Sequence, residues 1–446
     1  MRDGRVLRQV NKRYQSDYDQ LIKSGLYDAL VAEGLLVPHK ELGVEEAAAP
    51  DAYRVLEPER IELISYPYEW CFSQLREAAL TTLRIQKLAF ERGMTLKDAS
   101  AYNIQFRGSR PVFIDTLSFE KYKDGSPWVG YRQFCQHFLA PLALISYVDV
   151  RLLSLLRTNI DGIPLDLTAQ LLPARTKLKP ALLMHLHLHA RAQTRNADEG
   201  MNQNATPRRK MNALGLRGLF DSLTTAIKGL TWSPRGDWAN YYSETNYSDD
   251  AFELKRELVS EFLDDARPNS VWDLGANTGV FSRIAAEKGI ATTAIDFDPA
   301  AVEANYRQCQ IEDRHNLLPL VGDLTNPSPA IGWAAEERDT LEDRGPADLV
   351  MALALIHHLA IANNVPLTRT AEYFARLGRH LIIEFVPKQD SQVQRMLRTR
   401  EDVFDDYTQE GFEAAFETAF VIERQRAVSG SERTLYLMRR RVDAVD

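Results

Sequence analysis

VWDLGANTGVFSRIAAEKGIATTAIDFDP, residues 271–299, is the stretch that decides the fold. Val271 to Leu274 make a short strand that runs straight into Gly275. Gly275 and Gly279 bracket a turn through Ala276, Asn277 and Thr278. Glycine lets the backbone turn sharply there and approach a ligand with no Cβ in the way. Val280 to Lys288 follow at helical spacing, with Phe281, Ile284 and Ala285 on one face. Gly289 closes that helix, and Ala291 to Ile295 make the next strand. Asp296 falls 17 residues after Gly279, at the tip of the second strand. In a βαβ nucleotide site an acidic side chain at that place accepts hydrogen bonds from ribose hydroxyls.

Two cofactor classes use this layout. A dinucleotide site wants G-x-G-x-x-G, so that a pyrophosphate can sit on the helix N-terminus. Here the pattern is D-x-G-x-N-x-G, with Asp273 two positions before the first glycine and Asn277 between the glycines. This resembles motif I of the class I S-adenosylmethionine-dependent methyltransferases, in which the turn lies under a methionine and ribose moiety. The resemblance implies that Asp273, Gly275, Ala276, Asn277, Gly279 and Asp296 bind S-adenosylmethionine. The alternative is a flavodoxin-like or dinucleotide fold with an accidental turn.

Downstream, the alternation of strand and helix continues. Pro299 to Gln310 reads as a helix and Leu317 to Val321 as a third strand ending in Gly322-Asp323-Leu324. The resemblance places the adenine amino group on Asp323, with Leu324 on one side of the ring and Phe297 on the other. Ala347 to Leu355 is a near-continuous apolar run, as a strand buried on both faces should be. His380 to Val386 is a fifth strand, and Phe420 to Val428 with Thr434 to Arg439 form a closing pair. Five alternating β/α units and a terminal hairpin read as an α/β fold, and the resemblance implies the Rossmann-like seven-stranded methyltransferase sheet of strand order 3-2-1-4-5-7-6. The resemblance covers roughly Trp238 to the C-terminus. Upstream of the first strand, Tyr242, Tyr247 and Lys255 are pocket residues by the same resemblance, or aromatics and a lysine that pack this segment on the sheet.

An acceptor OH or NH3+ must lose a proton during methylation. His357 and His358, directly after the fourth strand, are the candidate bases, because histidine titrates near neutral pH. Glu384, in the fifth strand, is a weaker candidate, and Lys388 lies on the same rim. The [DN]-P-P-[YF] motif of certain N-methyltransferases is absent after the fourth strand. The region from Ile382 to Phe416 also looks like a bacterial group of methyltransferase-like proteins that includes rhizobial host-specificity nodulation proteins. Arg395, Arg398, Arg400 and Asp405 line an acceptor cleft or simply face solvent on an amphipathic helix.

Composition bounds the rest. With 446 residues, the chain is long enough for two or three domains, and its net charge of −8 gives no general attraction to nucleic acid or membrane. A local basic patch exists at Arg208, Arg209 and Lys210. Three scattered cysteines, Cys71, Cys135 and Cys309, form neither a disulfide framework nor a metal motif, which fits the cytoplasm. No signal peptide or membrane span is expected. The acceptor is an unidentified small molecule or protein.

The first half reads as an α+β domain over residues 1–193. Expected there are a strand at Gly4 to Val10, a helix from Tyr14 to Glu33, strands at Tyr53 to Leu56 and Ile61 to Ile64, and a helix from Ser73 to Arg92. Leu96 to Glu120 holds a D-x-x-x-x-N spacing at Asp98 and Asn103, a hairpin over residues 104–114, and Asp115 at its end. This resembles the catalytic loop of protein-kinase-like and aminoglycoside-phosphotransferase-like folds. Carried over, it makes Asp98 the base and Asn103 and Asp115 ligands of Mg-ATP. No glycine-rich phosphate loop precedes it, and no His-Arg pair stands before Asp98. A degenerate kinase-like scaffold and ordinary turn capping remain alternatives. Among His185, His187 and His189, only the first and last share a helix face, and interfacial or solvated histidines are expected. Residues 194–231 read as a linker or mobile loop, with a short helix from Leu216 to Leu230, and 232–446 as the methyltransferase domain. Three functions are open: a methyltransferase whose N-terminal domain serves acceptor binding or regulation, a bifunctional or ATP-regulated enzyme, and a non-catalytic protein that binds S-adenosylmethionine.

Overall fold

The computed structural model describes residues 5–192, 211–233, 249–398 and 400–442. The chain divides into two units, Met1–Ser233 and Pro234–Asp446. In the first, strands β1 (Arg8–Asn11), β2 (His39–Leu42) and β3 (Ala52–Pro58) form an antiparallel sheet in the order β1-β3-β2. The expected partner of β3, Ile61 to Ile64, makes no strand. Its place is taken by β2, a HKEL segment with no apolar alternation. An edge strand pairs on one side only and tolerates charged residues, which hides it from pattern reading. The expected helix from Tyr14 to Glu33 is two, α1 (Gln15–Lys23) and α2 (Leu26–Ala32), because the chain turns at Gly25 with φ of 69°.

The long helix α3 (Phe72–Glu91) buries Leu75, Ala78, Ala79, Leu83 and Ile85 and ends just before Gly93. Strand β4 (Met94–Leu96) pairs with β7 (Phe119–Lys121), and between them β5 (Ile104–Arg107) and β6 (Arg110–Phe113) make the expected hairpin. Helix α4 (Ala213–Lys228) was expected inside a linker, but it belongs to the first unit. Leu216, Phe220, Leu223 and Ile227 recur at helical spacing and are buried. The Phe220 ring stands edge-on to Phe90 at 5.7 Å and to Trp128 at 5.5 Å. The remainder of the expected linker, with Arg208, Arg209 and Lys210, lies outside the described residues.

The second unit is built on a seven-stranded sheet. Its strands are β8 (Ser270–Leu274), β9 (Ala291–Asp296), β10 (Leu317–Val321), β11 (Ala347–Ala352), β12 (Gly378–Phe385), β13 (Phe420–Ala427) and β14 (Thr434–Arg440). They lie in the order β10-β9-β8-β11-β12-β14-β13, which is 3-2-1-4-5-7-6 by order of appearance in this unit. The first five are mutually parallel, β14 runs antiparallel to β12, and β13 antiparallel to β14. Helices α5 (Asp249–Ala266) and α6 (Val280–Glu287) press Leu258, Phe262, Leu263, Ile284 and Ala285 into a core with Leu349, Met351 and Ile382 of the sheet. Also present are α7 (Pro299–Ile311), α8 (Leu367–Leu377), α9 (Ser391–Leu397) and α10 (Gln409–Glu417).

One expected β/α alternation fails. Residues 322–346, between β10 and β11, hold only a 3-10 turn at Trp333–Ala335 and a bridge between Ile331 and Arg338. Pro327, Pro329 and Gly332 interrupt the backbone donors and dihedrals that a crossover helix needs there. Strand β11 also stops at Ala352, three residues before the apolar run does. The three cysteines are buried and unbridged. Among the described residues, no helix is long and apolar enough to cross a membrane.

Phe220→Ala is expected to destabilise the first unit by about 3–5 kcal/mol, the cost of truncating a buried aromatic. Urea unfolding measures this. An unchanged midpoint would mean that α4 adds nothing to that unit.

Candidate functional site

Strand β8 delivers the chain to the glycine turn at the carboxyl end of the sheet. Gly275 and Gly279 have φ of 75° and 78°. A Cβ on Gly279 would come within 2.4 Å of the Asn305 side-chain amide, so glycine is required there on both counts. The amides of Gly275 and Ala276 donate to the Ile295 carbonyl at 2.8 and 3.1 Å. The Asn277 amide donates to Asp296 Oδ2 at 2.7 Å, and the Thr278 amide to Asn277 Oδ1 at 2.7 Å. The Gly279 amide donates to the Ala276 carbonyl at 2.9 Å. Every backbone N–H of the turn is therefore engaged inside the protein. A pyrophosphate cradle needs such amides pointing outward.

Two carboxylates lie beneath the turn. Asp296 closes β9, and its Oδ1 also accepts the Asp298 amide at 2.9 Å. The Phe297 amide also bonds this carboxylate, which leaves part of its accepting capacity for a ligand hydroxyl. Asp273 Oδ2 accepts from the Ser282 hydroxyl at 2.6 Å. Asp273 is 2% exposed and Asp296 7%. Burial pushes Asp273 up to about 7, against the pull of Ser282 and with the Asp296 charge adding to the rise. Burial likewise pushes Asp296 up to about 6, opposed by the backbone amides it accepts.

The neighbouring strand ends supply the other expected contacts. Asp323 follows β10, is exposed, and accepts the Thr325 amide and hydroxyl at 2.8 and 2.7 Å. Leu324 beside it is half-buried. Phe297, at the tip of β9, is 68% exposed, unusual for so large an apolar side chain. Tyr242 and Tyr247 lie outside the described residues.

After β11 the chain enters a π-helical turn, His358–Ala362, preceded by His357. His357 is 2% exposed, its Nδ1 has no partner among the described residues, and its ring lies 4.3 Å from that of half-buried His358. Burial, with His358, Arg433 and Lys255 nearby, holds His357 well below the usual histidine range. Burial and Arg433 lower His358 as well. Both shifts favour the neutral form of the rings.

Glu384 departs from its expected role as a base. It is fully buried, and its Oε2 accepts from Lys255 Nζ at 2.7 Å. Arg433 NH1 stands 3.9 Å from its other oxygen, and Arg433 Nε donates to Asp390 Oδ2 at 2.8 Å. A carboxylate neutralised in this way is not poised to take a proton. Lys255, a pocket or packing residue by the sequence, is 3% exposed. Lys388 is ion-paired with Asp402 at 2.8 Å. Arg395, Arg398 and Asp405 are exposed, while Arg400 donates to the carbonyl of Ile361 in the histidine turn. Ser282, Arg433 and Asp390 escaped the sequence reading. Only Ser282 carried a signal, as a polar residue on the apolar face of the helix after the turn.

In the first unit, Asp98 accepts the Ser100 amide at 3.0 Å. Asn103 donates to the Ser118 hydroxyl at 3.3 Å, which in turn donates to Asp115 at 2.5 Å. The structure thus brings Asn103 and Asp115 to one point. A guanidinium from Arg8 sits on the Asp115 carboxylate, where the kinase resemblance would put a metal. Asp115 also caps the turn at Leu117. Among the described residues no cluster of three His, Cys, Asp or Glu could hold a metal ion. His185 and His187 are buried rather than solvated. His185 bonds Tyr131 and Ser222 at 2.8 and 2.9 Å, and His187 bonds Thr176 at 2.9 Å. Tyr131 stacks on His189 with ring centroids 4.8 Å apart.

No family model matches the chain. Over 418 residues it is 39% identical to the nodulation protein NoeA of Rhizobium meliloti (strain 1021), covering 92% of this chain and 87% of that protein. Among solved structures, the bifunctional kinase-methyltransferase WbdD is 17% identical with a TM-score of 0.32, covering 46% of each chain. Magnesium protoporphyrin IX methyltransferase (ChlM) from Synechocystis PCC 6803 with bound SAH is 16% identical with a TM-score of 0.34, covering 46% of this chain and 92% of that one. Scores this low leave the fold to be read from the sheet itself.

A carboxyl whose pKa is raised by folding binds its proton more tightly in the native state. Asp273 therefore contributes stability at low pH that is lost as pH rises through about 7. Asp273→Asn cannot ionise, so its melting temperature is expected to rise relative to wild type between about pH 5 and pH 8. Each tenfold tightening of proton binding on folding is worth about 1.4 kcal/mol. A difference that is flat with pH would mean that Asp273 titrates as an ordinary carboxyl.

Proposed function

The chain belongs to the family of the nodulation protein NoeA, and we propose that its second unit is a class I S-adenosylmethionine-dependent methyltransferase. The observation that carries this reading is the glycine turn itself. Its five amides, Gly275 to Gly279, are all engaged inward, and the carboxylates of Asp273 and Asp296 lie beneath it. Such a site repels a pyrophosphate and suits a cofactor that is cationic at its amino acid end and carries a ribose. The sheet order and the rule that open α/β sheets bind ligands outside their carboxyl strand ends put the same residues on one rim.

When bound, S-adenosylmethionine supplies a methyl group activated on a sulfonium. Asp296 accepts a ribose hydroxyl through its remaining accepting capacity. Asp273 provides negative charge for the methionine ammonium. Asp323 accepts the adenine amino group, with Leu324 and Phe297 on the ring faces, which gives the exposed Phe297 a purpose. Because the leaving group is already good, positioning accounts for most of the rate. His358, neutral and half-buried, receives the acceptor's proton, and His357 backs its ring. The acceptor is a small molecule or a protein rather than nucleic acid, and the first unit serves acceptor binding or regulation.

Calorimetry should show S-adenosylmethionine and S-adenosylhomocysteine binding, and no heat with NAD. Asp296→Ala should weaken binding by about 1.5–3 kcal/mol or more, the worth of one charged hydrogen-bonded group. NAD binding in their place would overturn the assignment. Once an acceptor is in hand, His358→Ala should lower kcat roughly 10²–10⁴-fold with cofactor affinity unchanged. An unaltered kcat would remove the histidine as base.

The second reading, an Mg-ATP site at Asp98, Asn103 and Asp115, is opposed by the Arg8 guanidinium on Asp115. No saturable heat is expected on titrating Mg-ATP into the wild type. Saturable binding that disappears in Asp115→Ala would restore the bifunctional reading.

A further inference from the structure

Lys255 belongs to no glycine-turn pattern, yet it is tied to the cofactor site at three points. Its Nζ donates to Glu384 Oε2 at 2.7 Å and stands 4.7 Å from the centroid of the Phe281 ring. Phe281 lies in the first turn of α6 beside Ser282, whose hydroxyl holds Asp273. Burial raises Asp273, and the Lys255 charge opposes that rise. The lysine side chain is 3% exposed. Burying such a pair is costly, and apolar residues of similar volume often serve stability as well.

Among the described residues, the charged groups around this pair are few. Lys255 faces Glu384 on β12, Arg433 just before β14, Asp273 on β8, and the neutral His357 ring after β11. Asp273 faces Lys255, the Ser282 hydroxyl and the Asp296 carboxylate. Two buried carboxylates side by side do not both stay ionised without a cation. A protonated Asp273 would offer nothing to a cationic ligand.

We propose that Lys255 is a positioning residue of the cofactor site, favouring the charged form of the Asp273 carboxylate beneath the glycine turn so that it attracts the ammonium of S-adenosylmethionine. This rests on the methyltransferase reading. Glu384 in turn keeps the lysine protonated in its buried place, which gives a use to a carboxylate that cannot act as base.

A double-mutant cycle on the full chain tests it, with S-adenosylhomocysteine as the probe and calorimetry between about pH 6 and pH 8.5. Lys255→Met should weaken binding about tenfold or more at neutral pH in the wild-type background, and about twofold or less in Asp273→Asn. The loss in the wild-type background should shrink as pH rises and Asp273 ionises unaided. Equal losses in both backgrounds at every pH would show a merely structural lysine and overturn the proposal, as would no loss at all. Should Lys255→Met fail to fold, Lys255→Gln takes its place in the same cycle. A wild type that does not bind the probe sinks the cofactor reading and this inference with it, an outcome distinct from binding that ignores Lys255.

Discussion

Asp296 Oδ2 accepts the Asn277 amide at 2.7 Å, and the site is organised around that bond. It ties the tip of β9 to the turn that follows β8, so two neighbouring parallel strands end as one rigid edge. The turn then starts α6 at a fixed place, which sets Ser282 against Asp273 and the Phe281 ring against Lys255. The arrangement is electrostatically expensive, because two carboxylates are buried close together with an ammonium and a guanidinium behind them. Strain of this kind is the usual mark of a functional site rather than of a stabilising core.

The same edge carries a second set of polar contacts. Arg433 joins Glu384 to Asp390, and Asp390 caps α9 through the Gln392 amide. Arg400, just beyond α9, binds the carbonyl of Ile361 in the histidine turn. Polar contacts thus join the ends of β12 and β14 to α9, and Arg400 joins the segment after α9 to the histidine turn.

Much of this was legible in the sequence because its chemistry is local. Gly275, Gly279 and Asp296 fall within one βαβ stretch, where turn and strand signals fix the geometry. The strands β11 and β12 announce themselves as apolar runs, and the closing hairpin by its turn at Ser429 to Ser431. What was illegible depends on distance along the chain. Glu384 reads as a free carboxylate until Lys255, 129 residues earlier, is brought against it. Asp115 reads as a metal ligand until Arg8, 107 residues earlier, covers it. The edge strand β2 has no alternation to detect, and α4 was masked by the polar stretch before it. The missing helix between β10 and β11 follows from prolines that were in plain view, overridden by the expectation of regular alternation.

Amide hydrogen exchange with and without S-adenosylhomocysteine tests the central claim most directly. The ligand should slow exchange at the turn, residues 275–279, and at residues 323–325 beyond β10, while NAD leaves both unchanged. Unchanged exchange at both segments in the presence of saturating S-adenosylhomocysteine, or protection by NAD in its place, would contradict the account.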